Sequence, residues 1–429
     1  MVYVISIEGK PLMPCKEAKA RKLLKQNIAK IYKREPFTMQ LLFECENQTQ
    51  DITLGVDAGS KHIGLSATTN NKELYSADVE LRNDIVNLLS TRREVRRTRR
   101  NRLRYRAPRF NNRVRSKNKG WLAPSIEQKI QCHFQIIQDA YNILPITKII
   151  VETASFDIQK IKKPDISGKE YQEGEQLGFW NVREFVLARD QHTCQCCKGK
   201  SKDIILNVHH IESRRTGGNA PNNLTTLCET CHKGYHNGTV QLPQNIKRGM
   251  SFKDAAFMGI MRWTFYNRLK ELYPNVSMTF GYITKSVRIQ NDLPKEHYID
   301  ARCISGNPNA EPLGYYFYQK KVRRHNRQIH KSNILKGGNK KLNQAPYIVK
   351  GFRLFDKVKY NGQECFIFGR RSSGYFDLRK IDGTKISTSA NCKKISLLQT
   401  RKNYITEKRR EVAIPPHPFR DAVSLPKLL

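Results

Sequence analysis

The alternation of apolar and polar positions predicts a small β-α-β unit over residues 1–50. Val2–Ile7 has the alternation of a strand, Lys16–Gln26 predicts a helix, and Ala29–Phe43 predicts two short strands divided at Pro36. Between the first strand and the helix, Pro11–Pro14 predicts a rigid turn, because proline fixes the backbone and lacks an amide hydrogen.

A second group of strands begins near residue 51. Strand-like apolar runs lie at 52–58, 62–68 and 73–81, separated by short turns. A helix with apolar residues at helical spacing is predicted from Ser125. It is followed by Lys148–Glu152, which has the continuous apolar character of a buried parallel strand. This succession predicts a multidomain α/β protein.

Acidic residues stand at the ends of these elements. Asp57 lies at the end of the first run and Glu152 at the end of the later strand, where open α/β sheets build their sites. His297 and Asp300 have the i, i+3 spacing of one helical face and follow a predicted strand over Ser277–Thr284. Separated carboxylates of this kind are the oxygen ligands that two Mg²⁺ ions need. Acids at three unrelated surface positions are the alternative.

Two C-x-x-C pairs predict a structural zinc site. Cys194 and Cys197 precede Cys228 and Cys231 by about thirty residues, which is the ligand type and spacing of a closed four-cysteine centre. The spacing leaves open whether Cys196 replaces one of the first two ligands. Four buried cysteines that act as small apolar residues are the alternative, but they would leave the histidines between and behind them unexplained.

Those histidines form a second pattern inside the first. His209-His210, Asn223 and His232 occur in the order strand, loop, helix, and this order resembles the HNH nuclease motif in its zinc-stapled form. The resemblance implies that His209 and His232 hold one Mg²⁺ ion, that His210 deprotonates a water molecule and that Asn223 fixes the loop. His236 would be a further candidate ligand. A second structural zinc site built from the histidines is the alternative.

The net charge points to a polyanionic partner. Lysine and arginine total 77 against 38 acidic residues, a formal charge of +39, and nucleic acid is favoured over a membrane surface. The sequence has no apolar run of transmembrane length and no secretory signal. Of the 11 cysteines, six stand apart from the metal-type spacing, which favours a reducing compartment. We therefore expect a cytoplasmic protein.

The positive charge is most concentrated between residues 84 and 107. A helix with arginine on nearly every face cannot pack in a core, so it is expected to lie against phosphates, and arginine favours bidentate contacts with folded RNA. A disordered basic arm is the alternative. The candidate contacts are Arg92, Arg93, Arg96, Arg97, Arg100 and Arg104.

In the C-terminal region, apolar and polar residues alternate over Phe352–Phe368 and Gly374–Ile386, which contain glycine turns. This pattern predicts a small antiparallel barrel.

The order of these features resembles the IscB family of transposon-associated, RNA-guided DNA nucleases. Its members have an N-terminal unit marked by Pro-Leu-Met-Pro, a ribonuclease-H-like RuvC domain in three pieces, an arginine-rich bridge helix and an inserted HNH domain. The resemblance implies that Asp57, Glu152, His297 and Asp300 form the RuvC site. Arg323, Arg324 and Arg327 look like the family's basic stretch after the third piece.

The resemblance also implies where the domains begin and end, which partners the protein binds and what it does. The expected ranges are 1–50 for the N-terminal domain, 51–83, 108–154 and 246–305 for RuvC, 84–107 for the bridge helix, 155–245 for HNH, and 306–429 for a region that binds RNA and reads a target-adjacent motif. It implies a monomeric prokaryotic protein, with guide RNA, two Mg²⁺ ions in RuvC and one in HNH, that cuts both strands of double-stranded DNA. HNH would cut the guide-paired strand and RuvC the displaced strand. An unguided resolvase-like nuclease and a non-cleaving transposon regulator are the alternatives.

Overall fold

The computed structural model describes residues 1–46, 48–85, 88–90, 121–153, 175–176, 178–213, 218–249, 253–323 and 346–411. Two compact units divide the chain: Met1–Ser155 with Phe257–Leu429 forms one, and Phe156–Ala256 forms the other. The second unit overlaps residues 155–245, over which the inserted HNH module was expected, and extends to Ala256. None of the helices in the described ranges has the length and apolar character needed to span a bilayer.

The described part of the chain contains both strands and helices, as expected of a mixed α/β protein. The strands are β1 (Val2–Ile5), β2 (Pro11–Cys15), β3 (Ala29–Lys33), β4 (Thr38–Leu41), β5 (Thr53–Ala58), β6 (His62–Thr68), β7 (Glu73–Glu80), β8 (Lys148–Glu152), β9 (Leu206–His210), β10 (Leu224–Cys228), β11 (Val276–Thr279), β12 (Tyr315–Lys321), β13 (Lys357–Tyr360), β14 (Gln363–Arg370), β15 (Tyr375–Arg379), β16 (Lys385–Asn391), β17 (Ile395–Gln399) and β18 (Tyr404–Arg410). The helices are α1 (Glu17–Lys25), α2 (Pro124–Tyr141), α3 (Val182–Arg189), α4 (Glu229–His236), α5 (Lys253–Leu272), α6 (Gly281–Gln290) and α7 (His297–Ile304).

The N-terminal sheet has the strand order β2-β1-β4-β3. The turn predicted at Pro11–Pro14 is wrong, because Pro11–Cys15 forms strand β2, antiparallel to β1. Strand β2 lies at the edge of the sheet. Proline is tolerated at an edge because the amide hydrogen that it lacks would point away from the ladder.

A seven-stranded mixed sheet, in the order β11-β8-β5-β6-β7-β12-β18, is the centre of the first unit. Its faces differ because side chains alternate along each strand. Leu54 and Val56 of β5 are fully buried in the same core as Ile137 of α2 and Phe265 of α5. The opposite face of β5 carries Gly55 and Asp57, and helix α7 packs there.

The region after β11 differs from the predicted strand over Ser277–Thr284. Strand β11 ends at Thr279, and α6 begins at Gly281. The apolar run in this segment therefore spans two elements, which a short run cannot reveal by periodicity alone.

The C-terminal region is shared between two sheets. Strands β13 to β17 form a five-stranded antiparallel sheet in the order β16-β15-β14-β13-β17, with its own apolar core. Strands β12 and β18 instead pair with each other and, through β7, complete the central sheet. Residues 306–429 therefore contribute strands both to a small sheet of their own and to the central sheet. Long-range strand pairing decides this, and it leaves no local signal in the sequence.

Candidate active sites

Two acidic side chains meet where parallel strands end together. Asp57 and Glu152 are register partners on β5 and β8, and Thr279 of β11 pairs with Glu152 on its other side. The parallel register follows from the apolar runs of the three strands and brings their carboxyl ends to one edge of the sheet. We call the side chains of Asp57, Glu152, His297 and Asp300 the acidic edge.

Helix α7 completes the acidic edge and packs on the face of the sheet that carries Asp57. His297 Nδ1 lies 2.7 Å from Asp57 Oδ2, and Asp300 is paired at 3.0 Å with the Nε atom of Arg288. This close approach requires glycine in both strands beneath the helix. A Cβ atom at Gly64 would lie 1.9 Å from the carbonyl oxygen of His297, and one at Gly55 would lie 2.0 Å from that of Ala301.

The electrostatics of the acidic edge favour a bound cation. Burial, followed by the neighbouring Asp57 carboxylate, raises the pKa of Glu152 to about 7. The same two causes raise the pKa of Asp300 to about 6, although Arg288 opposes them. The hydrogen bond with Asp57 raises the pKa of His297. Carboxylates that repel each other in a partly buried site are suited to oxygen-coordinated divalent cations.

His62 and Asp78, which no sequence pattern predicts as site residues, also lie beside the acidic edge. The His62 imidazole stacks on His297 with ring centroids 5.1 Å apart and an interplanar angle of 6°. Its Nδ1 atom lies 3.1 Å from Asp78 Oδ1. These side chains meet through the pairing of β6 with β7 and the packing of α7, so a local motif could not have found them.

In the second unit, a hairpin and a helix position the histidines. Strands β9 and β10 are antiparallel, with Thr225 opposite His209 and Leu224 opposite His210. Alternation along β9 buries His209, whereas His210 is only partly buried. Helix α4 follows directly after β10 and presents His232 and His236, which are one turn apart, on the same face.

Asn223 fixes the loop between the two strands. Its side chain is fully buried. The Oδ1 atom accepts a hydrogen bond from the Glu212 amide at 2.9 Å, and Nδ2 donates to the carbonyl oxygens of Glu212 and Gly218, each at 3.0 Å. The side chain therefore satisfies three backbone groups of the segment that follows His210.

Three histidines of this unit, all but the partly buried His210 of the pattern, form a candidate metal centre. Ligand atoms of His209, His232 and His236 all lie within 4.8 Å of one another. The Nε2 atom of His209 is buried and has no hydrogen-bond partner in the described structure. Burial, reinforced by the other histidines, lowers the pKa of His209 to about 4, which keeps its imidazole neutral at pH 7. A buried, neutral and unsatisfied imidazole fits a metal ligand.

The four cysteines form a separate cluster. The sulfur atoms of Cys194, Cys197, Cys228 and Cys231 lie within 4.8 Å of one another, and those of Cys197 and Cys228 are 3.8 Å apart. Tetrahedral zinc with Zn–S bonds of about 2.3 Å would hold its sulfur atoms about 3.8 Å apart. Cys196 instead faces the carbonyl oxygen of Gln241 at 4.0 Å. The geometry therefore fits zinc on Cys194 and Cys197 and leaves Cys196 outside the cluster.

The predicted nucleic-acid contacts are only partly within the described structure. Arg92, Arg93, Arg96, Arg97, Arg100, Arg104, Arg324 and Arg327 lie outside the described residues. Arg323 is described, and its guanidinium lies 5.7 Å from the ring centroid of Phe355. Burial and then the positive charge of Arg82 lower the pKa of Arg323. Arg323 thus lies in a positively charged environment.

Comparison with known proteins supports a nuclease. A family model described as RRXRR protein matches residues 2–174, and a model described as HNH endonuclease matches residues 194–238. No curated protein matches the chain.

Three crystal structures of Streptococcus thermophilus Cas9, in complex with the AGGA, AGAA and GGAA PAM sequences, are partly similar. Each is 13% identical, with TM-scores of 0.28, 0.29 and 0.30. The aligned regions cover 43%, 43% and 44% of this chain but only 26% of each Cas9 chain. A likeness of this size does not define the fold. The hairpin, the helix and the family match to residues 194–238 together identify an HNH endonuclease domain in this chain.

Proposed function

We propose that this protein is an RNA-guided DNA endonuclease in which two separate sites cut the two strands of the target. The observation that carries the proposal is the match of residues 194–238 to the HNH endonuclease model, within which His209 and His232 share a cluster of candidate metal ligands. The acidic edge supports a second site of RuvC type. The net charge of +39 and the RRXRR match over residues 2–174 support binding of a guide RNA and target DNA.

In the HNH domain, His210 is the proposed general base. Its Nε2 atom lies 3.0 Å from Asn219 Oδ1. With Asn219 Oδ1 as the acceptor, His210 Nε2 would carry the proton and Nδ1 would keep its lone pair. That lone pair can take a proton from water, and the resulting hydroxide attacks the phosphodiester. Asn223 holds the backbone after His210 and so orients the imidazole.

The histidine cluster would hold the divalent cation of this site. His209 and His232 are the proposed Mg²⁺ ligands, with His236 as a third. When bound, a divalent cation supplies stabilisation of the leaving oxygen. The neutral, buried imidazole of His209 provides a lone pair at neutral pH without first losing a proton.

At the acidic edge, Asp57, Glu152 and Asp300 are proposed to hold two Mg²⁺ ions. His297 is partly exposed and hydrogen-bonded to Asp57, so it can exchange protons with a water molecule or with the leaving oxygen. A zinc ion on the four cysteines would have a structural role, since Cys194 and Cys197 before β9 and Cys228 and Cys231 at the start of α4 would hold it between them.

The proposal is tested in two steps. The nucleic acid that copurifies with the full chain, expressed with its flanking DNA, is sequenced, and one discrete structured RNA with a variable end is expected. That RNA then programs cleavage of a target whose two strands carry different labels. His210→Ala should spare only the displaced-strand cut, and Asp57→Asn only the guide-paired-strand cut.

The controls are substitutions at exposed positions outside both sites, His192→Ala and Asp51→Asn, which should cut both strands. Heterogeneous copurifying RNA would contradict guidance. Cutting of both strands by either active-site variant would contradict the two-site assignment.

A further inference from the structure

Two exposed aromatic residues lie directly beside the acidic edge. Phe280 follows Thr279, which is the register partner of Glu152, and Tyr282 is the second residue of α6. Between them, a Cβ atom on Gly281 would lie 2.9 Å from Glu152 Oε1. The backbone that carries Phe280 and Tyr282 therefore runs against the Glu152 carboxylate. We call these two residues the aromatic pair.

The aromatic pair presents flat apolar surface to solvent. Phe280 is 36% exposed and Tyr282 is 73% exposed. Their rings are parallel within 9°, with centroids 6.1 Å apart, so their faces point in the same direction. Helix α6 packs instead through residues on its other side, among them buried Thr284 and partly buried Val287. The pair is therefore not needed for the core of the described structure.

The chemistry of the pair fits unpaired nucleobases. Aromatic side chains stack on the faces of bases, and this contact tolerates any sequence because every base has a π face. A duplex hides those faces, whereas a single strand exposes them. Lys285 is exposed three residues after Tyr282, on the same side of α6, where it can meet the phosphates of a strand whose bases stack on the pair.

We propose that Phe280 and Tyr282 form a stacking site for the bases of single-stranded DNA and hold the strand with a phosphodiester at the acidic edge. The inference rests on the proposed function of that edge as a DNA-cleaving site. The aromatic pair touches bases rather than the reacting atoms, so both residues are positioning residues. They select for an unpaired strand and fix its register against Asp57 and Glu152.

The test measures binding of two short oligonucleotides to the full chain, with Ca²⁺ in place of Mg²⁺ to prevent cleavage. One oligonucleotide is single-stranded DNA of mixed sequence, and the other is the same backbone with its bases removed. Stacking contributes a factor of about 5 to 150 per base to affinity. Tyr282→Ala should weaken binding of the base-containing strand by about this factor and leave the abasic strand unaffected, and Phe280→Ala/Tyr282→Ala should weaken it further.

Two variants serve as matched controls. Tyr282→Phe keeps the ring and should bind as the unaltered chain does. Ile289→Ala removes another exposed apolar side chain, 55% exposed on the same helix, and should have no effect. Should the double variant fold poorly, the single Tyr282→Ala variant decides, because a side chain with that exposure contributes little to the core.

Equal affinity of all variants for the base-containing strand would overturn the proposal. So would an equal loss for the abasic strand, since that would indicate a backbone or structural effect. Strand-resolved cleavage by Asp57→Asn separates the two inferences. Loss of base-dependent binding in Tyr282→Ala, with unchanged cleavage in Asp57→Asn, would retain the stacking site and refute the nuclease role of the acidic edge. Loss of one cut in Asp57→Asn, with normal binding by Tyr282→Ala, would refute the stacking site alone.

Discussion

Replacement of Gly64 by alanine should strongly slow cleavage at the acidic edge, although it changes none of the four side chains that form that edge. The new Cβ atom would lie 1.9 Å from the His297 carbonyl oxygen, and Cβ atoms essentially never approach closer than 3.0 Å. The contact is with backbone, so no side chain can rotate away. Helix α7 must therefore move off the sheet by about 1 Å, a misplacement that can cost a reaction about 100-fold in rate.

The same substitution should have a modest effect on stability. Overpacking of a well-packed contact costs about 1–3 kcal/mol, which lowers the melting temperature but leaves the chain folded. Cleavage of a strand-labelled target by the guided complex should show the displaced-strand cut slowed about 100-fold. The guide-paired strand should be cut at the normal rate, because the HNH domain is a separate unit.

Gly259→Ala is the matched control. Gly259 lies in helix α5 with nothing within 4 Å of its ideal Cβ position. Alanine there should stabilise the helix by about 0.5–1 kcal/mol and leave both cuts unchanged. Normal displaced-strand cleavage by Gly64→Ala would refute the argument that the seat of α7 on β6 positions His297 and Asp300.

Three further outcomes are expected. Cys197→Ser should lose the zinc ion and destabilise the unit Phe156–Ala256, whereas Cys196→Ser should keep one zinc ion per chain. Metal analysis and thermal unfolding measure the two effects. The reverse result would make Cys196 the zinc ligand in place of Cys197. Asn223→Ala should lose three hydrogen bonds of about 1 kcal/mol each and slow only the guide-paired-strand cut. Asn223→Asp keeps the acceptor for the Glu212 amide, but its buried carboxylate would face the carbonyl oxygens of Glu212 and Gly218 with no proton to donate, so it should be at least as impaired; a normal rate in either variant would contradict the anchoring role. Burial lowers the pKa of His133 from 6.5 to about 4. Between pH 6.5 and pH 4 the imidazole is therefore protonated in the unfolded chain but neutral in the folded chain. The free energy of unfolding should fall by about 3 kcal/mol as the pH falls through this range. In urea titrations across this range, His133→Leu should flatten that dependence and exposed His192→Ala should not; an unchanged slope in His133→Leu would show that another group is responsible.

The sequence predicts those parts of the candidate sites whose residues lie close together along the chain. The cysteine pairs and the His-Asn-His order lie within 45 residues that form one hairpin and one helix, so spacing along the chain translates directly into geometry. Asp57 and Glu152 could be paired because each closes an apolar strand, and parallel strands end at the same edge. The roles of these side chains and the use of guide RNA remain predictions.

Other features could not be predicted, for identifiable physical reasons. His62 reaches the acidic edge only because α7 packs across β6 and places His297 against it. Pro11–Cys15 resembles a turn in sequence, and only its place at a sheet edge makes it a strand. The aromatic pair lies in a segment that the sequence predicts to be one strand. The chain changes from strand to helix at Phe280 within a short apolar run, and no capping side chain marks the start of the helix in the sequence.

The return of β18 to the central sheet has a consequence for how this chain can be rebuilt. Lys321 at the end of β12 is the register partner of Tyr404 at the start of β18, and the lysine Nζ atom lies 4.1 Å from the tyrosine ring centroid. The chain therefore leaves the sheet and re-enters it at neighbouring points. The segment between them, which contains the five-stranded sheet, is thus held at both ends by one strand pair. Phe366 of that sheet shares a buried cluster with Ile405 of β18, so replacing the segment by a short hairpin turn would keep the strands paired but expose Ile405 to solvent.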